Sequence, residues 1–149
     1  MAVISDHCPH IKVTLVDKDK GKIDAWNSLD LSKLPIYEPG LKEVIQRNRG
    51  KNLFFSINIK KAIEEADMIF ISVNTPTKIN GLGAGYASDL KWIESSARQV
   101  AQHSKGHTIV VEKSTVPVRT AELIQEILLN DENSTYKDKK TFSVISSPE

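Results

Sequence analysis

The sequence predicts a doubly wound α/β fold on a largely parallel sheet, and three observations carry that expectation. Strand-like apolar runs alternate with segments whose apolar residues return at helical spacing. One run, Met68-Ile69-Phe70-Ile71-Ser72-Val73, is apolar at nearly every position, as a strand covered on both faces requires. The stretches between strands are helical, and helices are the usual crossovers that parallel strands need.

Residues 11–17 alternate apolar and polar before two successive apolar residues and a charged stretch, the pattern of a strand entering a turn with Asp17 at its carboxyl end. Ile23, Ala25 and Trp26 mark a short helix. Pro35 and Pro39 exclude regular structure from 34–40. Helical spacing returns over 41–45, residues 52–56 form a brief strand, and 59–66 form another short helix. The run 68–73 is expected to be a central strand. A loop rich in Gly, Thr and Pro follows over 74–88, and Ser88 is expected to cap a helix with Leu90, Ile93, Ala97, Val100 and Ala101 on one face. Residues 108–111 are a third apolar strand. Residues 114–117 then lead into a helix with Pro117 at its first position and Val118, Ala121, Ile124 and Leu128 on its buried side. A polar surface loop over 130–140 and a last strand over 142–145 complete the reading.

A chain of 149 residues with 40% hydrophobic content suits one globular domain without metals or disulfides. Twenty basic residues against nineteen acidic give a net charge of +1, so no global field attracts nucleic acid, an anionic membrane or a polyanion. Trp26, Tyr37 and Trp92 are scattered, not interleaved with basic residues, which gives base stacking no support. The single cysteine, Cys8, cannot form an internal disulfide and suits a reducing compartment. No apolar run approaches a membrane span, and the amino terminus shows no signal-peptide succession. A soluble, unprocessed, cytoplasmic protein is the expectation.

In doubly wound sheets, ligands bind beyond the carboxyl ends of the strands. Three segments fall there: Asp17; then Asn74-Thr75-Pro76-Thr77; then Lys113-Ser114-Thr115-Val116. An acidic residue after a second strand accepts both hydrogen bonds of an adenosine ribose diol and repels a 2′-phosphate, favouring NAD over NADP. Lys18, Lys20 and Lys22 lie close enough to accommodate such a phosphate, and Asp17 also reads as a simple turn-former. The Ser114-Thr115 pair reads either as a helix cap or as a polar mouth for a phosphate or an amide. Residues 74–77 read equally as a Pro-containing turn. Gly81, Gly83 and Gly85 do not fit the dinucleotide fingerprint and give a loop its turns. His7-Cys8-Pro9-His10 crowds only three possible ligands into four residues, a poor metal spacing.

Three ordered motifs carry a resemblance: Leu34-Pro35-Ile36-Tyr37-Glu38-Pro39-Gly40-Leu41, Phe70-Ile71-Ser72-Val73-Asn74-Thr75-Pro76-Thr77, and Glu112-Lys113-Ser114-Thr115-Val116-Pro117-Val118-Arg119. Together they resemble the eukaryotic-type UDP-glucose 6-dehydrogenases, of the UDP-glucose/GDP-mannose dehydrogenase family. The likeness runs to Ser147-Pro148-Glu149, with Ser147 where the family usually has Asn.

The resemblance implies a Rossmann-like NAD-binding domain over 1–149. It implies that Asp17 and Lys22 contact the adenosine ribose and that Val73, Asn74, Thr75, Pro76 and Thr77 line the cofactor's middle. Ser114, Thr115 and Val116 would approach the nicotinamide, with Thr115 and Glu149 on the catalytic side and Glu149 as the acid/base carboxylate. The family oxidises the C6 alcohol of UDP-glucose twice with NAD through a cysteine-bound thioester, and its full-length members form homo-oligomers. UDP-N-acetylmannosamine or GDP-mannose as substrate is an alternative, as is a non-catalytic module that associates with intact subunits. The resemblance also implies that the chain opens in the helix after the family's first strand and Gly-rich turn, and that the catalytic cysteine lies beyond Glu149. Residues 1–149 alone are therefore expected to be inactive. In the order 3-2-1-4-5-6 the first strand is central, so its neighbours would lose ladder partners and the chain is expected to be marginal or aggregation-prone.

Overall fold

The computed structural model describes residues 1–130 and 140–147. It forms two compact units, Met1–Ala62 and Ile63–Glu149. The expected polar loop falls mostly on residues outside those described, and so does Glu149.

The first unit runs α1 (Ala2–His7), β1 (Val13–Val16), α2 (Lys20–Asn27), a 3₁₀ turn (Leu31–Lys33), α3 (Leu41–Asn48) and β2 (Leu53–Ser56); α4 (Ile59–Glu64) leads out of it. β1 and β2 pair in parallel, Val13 opposite Leu53 and Val16 opposite Ser56. Their inward residues Val13, Leu53 and Phe55 meet Ile23 of α2 and Ile45 of α3 in one core. Complete burial of Ile45 and Leu53 is worth roughly 1.5–3 kcal/mol each. Trp26 stacks on Phe55 at 5.0 Å between centroids.

The starts of α2 and α3 have identifiable causes. Asp19 caps α2 by accepting from the Lys22 N–H at 3.2 Å. Gly40 enters α3 with φ +80, a left-handed conformation that glycine adopts without Cβ strain. The end of α3 is tied to the end of α2 by Arg49, whose Nη1 donates to the Trp26 and Ser28 carbonyls, both at 2.7 Å. Arg47 grips the Asp6 carboxylate through both Nε and Nη2, joining α3 to α1.

The second unit holds β3 (Met68–Ile71), α5 (Lys91–His103), β4 (His107–Glu112), α6 (Thr120–Leu129) and β5 (Thr141–Ser146). The strands pair in parallel in the order β3-β4-β5, with Ile71 opposite Glu112 and Glu112 opposite Ser146. Ile93, Ala97, Val100 and Ala101 are buried along α5, as their spacing predicts. Ile124 and Leu128 are buried along α6.

Three details of this unit depart from expectation. β3 is an edge strand of its sheet, not a central one, and Met68 is 47% exposed; β4 holds the centre. Asp89, not Ser88, ends the loop before α5, accepting from the Lys91 N–H at 3.1 Å. Ser88 sits too early to reach the first turn and instead bridges to Thr77. α6 starts at Thr120, not Pro117, because Arg119 takes φ +75 and breaks the helical path. Val118 is consequently outside the helix and 93% exposed.

The described strands form two separate parallel sheets, β1-β2 in the first unit and β3-β4-β5 in the second. The α/β class, the parallel pairing and the incompleteness of the sheet all follow the sequence. Among the described residues no helix is long and apolar enough to cross a membrane.

Candidate functional site

Two groups of side chains occupy the carboxyl ends of the strands, one in each unit. In the first unit, Asp17 follows β1 directly. Its Oδ1 accepts from the Asp19 N–H at 2.9 Å, an Asx turn that fixes the carboxylate, and its Oδ2 lies 3.5 Å from Lys22 Nζ. The turn-former reading of Asp17 is thus correct as far as it goes. An ionised carboxylate has about four acceptor sites, so these contacts leave capacity for a diol. Because Asp19 caps α2, Lys22 is held in the first turn, where its side chain returns to Asp17.

In the second unit, the loops after β3 and β4 are laced together. Ser114 Oγ donates to the Val73 carbonyl at 2.9 Å, and Thr75 Oγ1 donates to the Thr115 carbonyl at 3.1 Å. The Lys113 N–H extends the ladder to the Ile71 carbonyl at 3.0 Å. These bonds bring Val73, Thr75, Ser114 and Thr115 into one rim. Ser114 is therefore not a cap of α6, whose N-cap residue Arg119 makes no side-chain cap hydrogen bond. A hydroxyl that donates to a carbonyl keeps its lone pairs. Ser114 and Thr75 thus present acceptors at the rim.

The loop beyond Thr75 is closed by its own backbone. Asp89 N–H donates to the Pro76 carbonyl and Lys78 N–H to the Ala87 carbonyl, both at 2.7 Å. Thr77 and Ser88 form an antiparallel bridge beside them. Gly83 takes φ +83, and a Cβ there would lie 2.8 Å from Ala87 Cβ. The Lys91 backbone N–H, followed by the Lys91 side chain, holds the Asp89 carboxyl below the usual carboxylate range. Pro76 and Thr77 anchor this hairpin, while Asn74 and Thr115 are exposed to solvent and Val116 is half-buried. Sequence reasoning overlooked Asp89, whose side chain forms an Asx turn onto the Lys91 N–H at the entry to α5.

Parallel strands whose carboxyl-terminal loops present polar rims define a doubly wound nucleotide-binding architecture. The chain belongs to the UDP-glucose/GDP-mannose dehydrogenase family: residues 1–149 match that family's NAD binding domain. It is 57% identical over 148 residues to UDP-glucose 6-dehydrogenase of Mus musculus, covering 99% of this chain and 29% of that protein. UDP-glucose 6-dehydrogenase 3 of Oryza sativa subsp. japonica is 54% identical over 149 residues, covering 100% of this chain and 29% of that protein. Among solved structures, a ternary complex of GDP-mannose dehydrogenase from Pseudomonas aeruginosa superposes with a TM-score of 0.78 at 32% identity, over 99% of this chain and 32% of that one. The chain therefore spans less than a third of the length of these relatives.

Proposed function

We propose that the chain binds NAD and forms the cofactor-binding part of a UDP-glucose 6-dehydrogenase, which oxidises the C6 alcohol of UDP-glucose to a carboxylate in two NAD-dependent steps. The lacing of Val73 and Thr75 to Ser114 and Thr115 across 40 and 41 residues of sequence carries this reading. It fixes two loops at the strand ends, where the fold class binds its cofactor. Asp17 and Lys22 hold the adenosine ribose through the free acceptors of the carboxylate and the ammonium beside it. Val73, Asn74, Thr75, Pro76 and Thr77 follow the middle of the cofactor. Ser114, Thr115 and Val116 meet the nicotinamide end, where hydroxyl and carbonyl oxygens accept from a carboxamide. In the whole protein, Thr115 and Glu149 stand on the catalytic side, the protein is a homo-oligomer, and the site is cytoplasmic.

UDP-glucose is preferred to other nucleotide sugars because the 54–57% identical relatives are UDP-glucose 6-dehydrogenases, whereas the likeness to GDP-mannose dehydrogenase is 32%. Thioester chemistry needs a cysteine beside the substrate. Cys8, the single cysteine of residues 1–149, caps the carboxyl end of α1. Residues 1–149 consequently bind cofactor without turning over substrate. Titration calorimetry with NAD and an absorbance assay with UDP-glucose test both halves. Saturable NAD binding with no NADH production is the expected pair of results. Absence of NAD binding by folded protein refutes the first half, and turnover refutes the second.

A further inference from the structure

We infer that Asn80 is a site of spontaneous deamidation, at which the main chain itself converts the side-chain amide to a mixture of aspartate and isoaspartate. Asn80 is the one asparagine of the sequence that precedes glycine. Gly81 has no Cβ to shield its backbone nitrogen from the Asn80 side chain. Both residues are exposed in the loop between β3 and α5, outside any helix or strand. The Asn80 side chain and the Gly81 N–H make no hydrogen bond among the described residues, so neither reacting group has to be released first.

The other described asparagines each lack one of these conditions. Asn27 donates to the Phe55 carbonyl at 3.2 Å, Asn48 to the Asp6 carboxylate at 2.8 Å and Asn52 to the Ser5 carbonyl at 2.8 Å, while Asn58 accepts from the Lys61 N–H at 3.0 Å. Asn74 and Asn130 precede Thr75 and Asp131, whose Cβ atoms crowd the nitrogen that would attack, the branched threonine most of all. At Asn80 the Gly81 nitrogen bonds to Cγ, the Cγ–Nδ2 bond breaks, and the proton of the nitrogen leaves with the amide group as ammonia. Water then opens the cyclic imide at either carbonyl, giving aspartate or isoaspartate, and no oxidant or cofactor takes part. Isoaspartate adds a methylene to the main chain inside the turn that the Gly85 N–H closes on the Lys78 carbonyl at 2.8 Å. That turn loosens, whereas the outer bond from the Asp89 N–H to the Pro76 carbonyl at 2.7 Å stays.

The test is to age the 149-residue chain at mildly alkaline pH, in buffer and in urea, and to follow every asparagine by peptide mass mapping with chromatographic separation of isoaspartate from aspartate. Position 80 converts first and gives both products, in buffer as well as in urea, and faster as the pH rises because the attacking nitrogen must lose its proton. Gly81→Ala slows the conversion, in urea too, where strain at φ +78 plays no part. Amide exchange of the aged protein shows protection lost at Gly85 and kept at Asp89. Asn80→Asp carries the charge without the longer main chain and keeps Gly85 protected. Aspartate as the single product, conversion at Asn74 as fast as at Asn80, conversion in urea alone, or an undiminished rate in Gly81→Ala overturns the inference. Full protection of Gly85 in the isoaspartate form overturns the loosening of the turn.

Discussion

Replacing Ser114 by alanine removes the donor that ties the loop after β4 to the Val73 carbonyl, a bond of 2.9 Å from a half-buried hydroxyl. A bond of this kind contributes about 0.5–1.5 kcal/mol net. Thr75→Ala removes the companion bond to the Thr115 carbonyl at 3.1 Å, which is more exposed to solvent. Both bonds clamp the same two loops, so once one is gone the other restrains less. The double variant should lose less stability than the sum of the singles, with a coupling of about 0.5 kcal/mol or more. The NAD dissociation constant should rise with each single change and rise little further with the second. Urea denaturation gives the stabilities and calorimetric titration the affinities. Strict additivity, or undiminished NAD affinity in the double variant, refutes the idea that the lacing organises the site.

Asp17→Asn should weaken NAD at least roughly tenfold and leave stability within about 0.5 kcal/mol, since its partner Lys22 is an exposed ion pair; calorimetry and urea denaturation read the two effects separately. The Asp6 carboxyl is lowered by its hydrogen bonds from Arg47 and Asn48, so its contribution is present above the unfolded value of about 3.9 and is lost as the pH falls through the lower folded value. Wild type and Asp6→Asn should therefore differ in denaturant midpoint near neutrality and converge under strong acid; a constant difference contradicts this. β1 and β3 each pair on one side only among the described strands, and such edges invite association. Heating the 149-residue chain should raise light scattering without a sharp monomeric transition, and a reversible cooperative melt at all concentrations speaks against it.

The strands were legible because each is a short apolar run bounded by turn residues, and β1 to β5 fall within two residues of their expected limits. Buried faces of α5 and α6 were legible from helical spacing for the same reason. The start of α6 was not, because a left-handed Arg119 leaves no trace in composition. The edge position of β3 was not legible from its apolar content, which reports burial and not pairing; only the resemblance, with its missing central strand, implied a neighbour without a ladder partner. At the site, Asp17 and Lys22 lie five residues apart and a turn brings them together, so local sequence suffices. The contacts of Ser114 and Thr75 end on main-chain carbonyls 41 and 40 residues away, and a carbonyl carries no residue-type signal.

Backbone amide spectra of the isotopically labelled chain, recorded through a titration with NAD⁺, probe the cofactor site at every position at once. The account predicts that resonances of Asp17, Lys22, residues 73–77 and residues 114–116 move along one binding curve. Shifts confined to one of the two units, or lying elsewhere on either, contradict it.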